Sequence, residues 1–93
     1  MFVGIVRVEL HVPGATSLKD KRAVVRSLKD RIQSRLAAAV AEVDHQDLWQ
    51  RALIAAAVVS GDARHAEEVL AACDQLVRGE PLANIISSET TWQ

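Results

Sequence analysis

The chain opens on an alternation. In FVGIVRVELHV, residues 2–12, one parity holds Phe2, Gly4, Val6, Val8, Leu10 and Val12; the other holds Val3, Ile5, Arg7, Glu9 and His11. A period of two with one apolar and one mixed face predicts a β-strand. PGAT, residues 13–16, ends it with turn chemistry. From Ser17 the period changes. Leu18, Val24, Val25, Leu28, Ile32 and Leu36 recur at helical spacing. Ser17 with Asp20 three residues on is a variant of the capping box and predicts the helix start. At about 100° per residue, Lys19, Arg22, Arg26 and Lys29 gather on an adjacent stripe. Lys21 projects toward the apolar side in the first turn. Its stem is expected to pack while the ammonium runs past the helix end into water.

AAAVAEVD, residues 37–44, is alanine-rich; Val40, Val43 and the polar residues after them favour a strand from about Ala38. RALIAAAVVS, residues 51–60, is apolar on both parities, as expected of a central strand covered on both sides. Gly61 and Asp62 break the run, and Asp62 is a good N-cap for a second helix. Ala66, Val69, Leu70, Cys73, Leu76 and Val77 form its inward stripe, with Gly79 just past its end. Pro81 leads into a last strand, LANIISSETTW. The order β-α-β-β-α-β predicts an α+β domain of ferredoxin-like topology, spanning residues 1–93. Its four-stranded antiparallel sheet carries both helices on one face. The second face is open. Val3, Ile5 and one parity of 52–59 would make it apolar, and a patch that large predicts a partner, with a homodimer as the expected assembly.

Composition narrows the class. Aromatic side chains are limited to Phe2, Trp49 and Trp92, so alanine and valine must do most of the packing. The single Cys73 excludes an internal disulfide and fits a reducing, cytoplasmic setting; on the inward stripe it reads as a buried, inert thiol. No basic-then-apolar leader and no apolar run near eighteen residues is read, which leaves neither a signal peptide nor a membrane span as the expectation. The net charge of −1 hides a division. Residues 18–36 hold seven cations and two carboxylates, whereas residues 37–93 hold three arginines and nine carboxylates. Such asymmetry marks either a docking surface for a polyanion or a solvated helix face.

Candidate chemistry concentrates in AEVDHQDLWQR, residues 41–51. Asp44, His45 and Asp47 supply ligand types sufficient for zinc or manganese. The spacing is poor, because on a strand Asp44 and His45 point to opposite faces. No HxH, CxxC or helical HxxxH pair is present, and no cofactor is expected. The structural reading is a connection between the second and third strands. Its aspartates bond the turn backbone, Asp44 or Asp47 holds Arg51 or a cation of the basic helix, and Trp49 is buried under the sheet end.

VGIVRVELHVPGATSLKDKRAVVRSLKDRI followed by VAEVDHQDLWQRA closely resembles the YlxP-like family, a bacterial family of unknown function. The pattern is a strand ending in RVELH and a proline, then SLKxKR, then AEV with D, W, Q and R downstream. It covers residues 1 to about 65; the second helix and last strand match in pattern only. The resemblance implies a ferredoxin-like fold. It also implies a gene neighbourhood of transcription-elongation, translation-initiation and ribosome-maturation factors, and so a role with RNA or the ribosome. It implies no activity.

The leading expectation is therefore a non-enzymatic module that binds RNA or a ribosomal particle through Lys19, Lys21, Arg22, Arg26 and Lys29. Stacking of bases on the sheet face is disfavoured, since the central strands offer no aromatic except Phe2. One alternative is a structural homodimer or protein-interaction module. The other is a phosphate-binding enzyme of acylphosphatase-like topology, with the loop HVPGATSLKDKR as cradle. That loop has one glycine and no acylphosphatase arginine motif, and Ser17 serves as a cap.

Overall fold

The computed structural model describes residues 1–93. Six elements follow in the order β1 (Phe2–His11), α1 (Leu18–Leu36), β2 (Ala39–Asp44), β3 (Arg51–Ser60), α2 (Ala63–Arg78) and β4 (Asn84–Trp92). The strands form one sheet in the order β2-β3-β1-β4, antiparallel throughout. This is the ferredoxin-like α+β fold.

The alternation of β1 sorts the two faces. Val6, Val8 and Leu10 are buried and lie opposite Ala56, Ile54 and Ala52 of β3, which are buried too. Val24, Val25, Leu28 and Ile32 of α1 and Ala66, Leu70, Cys73 and Val77 of α2 close one core over that face. The other parity of the central strands carries no helix. At about 25 cal/mol per Å² of apolar surface, a core of small side chains needs close helix–sheet approach to stabilise the fold, and Gly4 shows how close. A Cβ there would stand 2.5 Å from Leu70 Cδ1 and 2.7 Å from the Trp92 ring.

Local chemistry explains the element ends. Ser17 Oγ accepts the Asp20 N–H at 3.1 Å, as the cap requires. The Asp20 carboxylate does not complete a box with Ser17. It turns back to Thr16, accepting the backbone N–H at 3.0 Å and the hydroxyl at 2.8 Å. Ala37 ends α1 in the left-handed region, at φ 51°, a position glycine usually fills. Asp62 accepts the Arg64 N–H at 2.9 Å and caps α2. Gly79 closes α2 in the right-handed region, so its service there is not a left-handed turn.

Two boundaries differ from the sequence reading. β2 begins at Ala39 rather than Ala38, and β4 begins at Asn84 rather than at Leu82. The second difference has a cause: Glu80 folds residues 80–83 into a turn. Its carboxylate accepts the Leu82 N–H at 3.2 Å and its carbonyl accepts the Ala83 N–H at 3.3 Å.

Candidate nucleic-acid interface

The site is built on α1. Lys21, Val24, Val25, Leu28 and Ile32 define its buried side. Arg31 leaves the helix toward the end of α2, where its guanidinium pairs with the buried carboxylate of Glu80, just past that helix. At about 100° per residue the stripe of Lys19, Arg22, Arg26 and Lys29 lies roughly 160° from Arg31. The stripe therefore runs along the flank away from α2, on the side where α1 overlies β2. Lys19, Arg22 and Arg26 are exposed, and Lys29 is half-buried. None of the four has a carboxylate within 4.0 Å; the protein's ion pairs use Lys21, Arg31, His45, Arg51, Arg64 and Arg78 instead. The result is a row of four cations whose fields are not cancelled at close range.

Lys21 is removed from that row. It is fully buried. Its Nζ donates to the His45 carbonyl at 2.7 Å and to the Gln46 carbonyl at 3.3 Å. Its third neighbour is Glu42 Oε2 at 2.8 Å, a charge contact out of line for a hydrogen bond. The expectation that the ammonium reaches water is corrected: the turn after β2 folds over the helix start and supplies two carbonyl oxygens, and Glu42 of β2 supplies a carboxylate, where water was expected. A side chain so enclosed cannot reach a phosphate. Glu42 comes into reach because it lies on the helix side of β2, opposite Ile54.

The polar span 44–50 is a structured connection, with different partners from those expected. Asp44 Oδ1 accepts the His45 N–H at 2.8 Å, and the His45 carbonyl accepts the Leu48 N–H at 3.0 Å. His45 sits in the left-handed region at φ 64°. Gln50 Nε2 donates to the carbonyls of Pro13 and Ala15 at 3.2 and 3.1 Å, tying this loop to the one before α1. Arg51 is held by Glu9, not by Asp44 or Asp47, and His45 Nε2 meets the same Glu9 carboxylate at 2.8 Å. The Arg51 guanidinium and then the His45 ring hold the Glu9 carboxyl below its ordinary value. Trp49 is 56% exposed, against the expectation of burial. The tie made by Gln50 and the Lys21 ammonium orders the loop without needing the indole as an anchor.

For a metal, Asp44, His45 and Asp47 do not converge. The nearest approach is His45 Nδ1 to Asp44 Oδ1 at 3.9 Å, and no group of three or more ligating side chains is brought together anywhere in the fold. The loop before α1 is likewise poorly arranged for phosphate. The Asp20 carboxylate occupies the N–H and hydroxyl of Thr16, the place an anion at this helix start would take, and those two bonds hold its pKa below the ordinary value. Cys73 is enclosed, and burial pushes its thiol up, away from the reactive thiolate. Ser88 donates to Asp74 at 2.7 Å, and that carboxylate is already paired with Arg78. No helix is long and apolar enough to cross a membrane.

The site residues that sequence reasoning missed are Glu9 and Glu42. Their parity on the two strands was readable, but their partners depend on strand register, which turn chemistry alone does not give.

A family model described as "Protein of unknown function (DUF503)" matches residues 3–90. The chain is also similar to "Uncharacterized protein YlxP" of Bacillus subtilis (strain 168), at 29% identity over 90 residues covering 97% of this chain and 98% of that protein.

Proposed function

We propose an RNA-docking function for this chain, which belongs to the DUF503 family. The contact surface is the flank of α1 formed by Lys19, Arg22, Arg26 and Lys29. The observation that carries the reading is that these four cations share one helix flank with no carboxylate within 4.0 Å, whereas Lys21, Arg31, Arg51, Arg64 and Arg78 are each tied to one. The stripe runs from Lys19 to Lys29, a rise of about 15 Å along the helix, enough for two to four successive phosphates. Phosphate contacts position a nucleic acid and do not specify its sequence, so shape must supply any selectivity. The open sheet face carries no Phe, Tyr or Trp, and base stacking in the central strands is not part of the reading.

The test is titration of labelled RNA at several salt concentrations. Counterion release predicts a log–log slope of about −2 to −4 on duplex and somewhat less on single strands. Arg22→Glu with Arg26→Glu should abolish binding without unfolding the domain, because both side chains are exposed. Lys21→Gln is not a test of the surface, since that ammonium is buried. Absence of wild-type binding to RNA or ribosomal particles at low salt would reduce the stripe to a solvated face.

A further inference from the structure

The uncovered face of the sheet has a relief. Strand register brings Ala39 and Ala41 of β2 beside Ala57 and Ala55 of β3. These four small side chains form the floor of a shallow apolar depression of about 270 Å³, bounded by Ile5 and Val43. Immediately beyond it, Val3 and Val59 pair across β1 and β3 and stand up as a ridge. Val59 is 67% exposed and Val43 46%. The next rows of the same face change character. Arg7 lies opposite Glu89 without closing to an ion pair, and Glu9 and Arg51 follow. The charged part of the face thus holds two cations and two carboxylates.

We infer that this face is the contact between two copies of the chain, related by a two-fold axis, with the Val3–Val59 ridge of each copy seated in the alanine depression of the other. Three observations select a second copy over a foreign partner. The ridge and the depression are adjacent on one surface and match in chemistry, so one rotation satisfies both, the same contact made twice. The charged rows are balanced in sign, so two copies meet without net repulsion, and Arg7 and Glu89 remain free to pair between copies. The area also suffices. Strands of 10, 6, 10 and 9 residues, at about 3.3 Å per residue and about 4.8 Å apart, present roughly 550 Å² per copy, a total near the ~1,000 Å² that a specific interface needs. The inference stands independently of RNA docking, because α1 lies on the other side of the sheet.

Sedimentation across a wide concentration range tests it. Wild type should run at twice the 10.1 kDa chain mass. Val59→Glu and Val43→Glu alter side chains exposed within one copy, so each variant should keep its circular dichroism while a buried unpaired carboxylate weakens self-association roughly 100-fold or more. Leu82→Glu, in the turn before β4 and off this face, should leave the dimer intact. A wild-type monomer throughout the range overturns the inference and gives the face to a different partner. A dimer that survives both Val59→Glu and Val43→Glu overturns it as well, and moves the contact elsewhere.

Discussion

Replacing Lys21 by methionine keeps the stem and removes the ammonium. The Glu42 side chain, only 12% exposed, then keeps its charge without a counter-ion, and two carbonyls of the turn, His45 and Gln46, lose their donor. Breaking a buried ion pair from one side costs about 3–5 kcal/mol. A domain of this size has a total stability of about 5–14 kcal/mol, so the loss is about a fifth of the whole or more. The melting temperature should fall by at least ~12 °C, at about 4–8 °C per kcal/mol. Urea unfolding measures the change, read from the midpoint at constant slope. The double variant Lys21→Met with Glu42→Leu should recover most of it, since an apolar pair replaces a buried ionic one at little cost. A residue of about 1–2 kcal/mol should remain from the two unpaired carbonyls. If Lys21→Met costs under ~1 kcal/mol, as an exposed lysine would, the buried pair has been assigned too much. Failure of the double variant to recover would equally refute the reasoning, because it would place the loss outside the Lys21–Glu42 pair.

Three further outcomes follow from single residues. Trp49→Ala should cost about 0.5 kcal/mol or less in the same urea assay, because the indole is mostly exposed; a loss of several kcal/mol would restore it to the core. Gly4→Ala should destabilise by about 1–3 kcal/mol and red-shift the Trp92 fluorescence, since the added methyl pushes Leu70 and the indole ring aside. The folded-state pKa of Glu9 lies below the ordinary 4.5, so its stabilisation is present above that value and lost as pH falls through the folded pKa. Acid unfolding curves of wild type and Glu9→Gln should therefore separate near neutral pH and converge at low pH.

The elements were readable because each one states its period locally. Val6, Val8 and Leu10 alternate, Val24, Val25, Leu28 and Ile32 recur every three to four residues, and Ser17 and Asp62 mark helix starts with the side chains that cap them. What could not be read was anything decided by two distant segments meeting. Lys21 looked like a snorkelling lysine because nothing in the helix says that residues 45 and 46 will fold over its first turn. Trp49 looked buried because a small, alanine-rich core lacks large side chains; Gln50 and Lys21 order the loop by hydrogen bonds instead. The stripe of α1 was visible as a pattern. That Lys19, Arg22, Arg26 and Lys29 go unpaired while Arg31 finds Glu80 depends on where α2 ends, and helical spacing carries no record of that.

The two proposed surfaces lie on opposite sides of the sheet, and that arrangement has a measurable consequence. A dimer closed through the open faces turns both α1 flanks outward. With stacked sheets about 10 Å apart and a helix layer on each side, the two stripes sit roughly 30 Å apart. A flexible single-stranded RNA can cross that gap and engage both stripes, so the second contact becomes intramolecular and the apparent affinity rises by avidity. A short duplex is too stiff to wrap the dimer and reaches one stripe only. Val59→Glu should therefore weaken binding of a long single strand by about tenfold or more while leaving a short duplex unchanged. The salt slope on the duplex should also stay the same, because the phosphates contacted per stripe do not change. Equal weakening for both RNAs would mean that the open face itself contacts nucleic acid. No weakening for either, in a variant shown to be monomeric, would mean that each copy binds alone and that dimerisation serves another purpose.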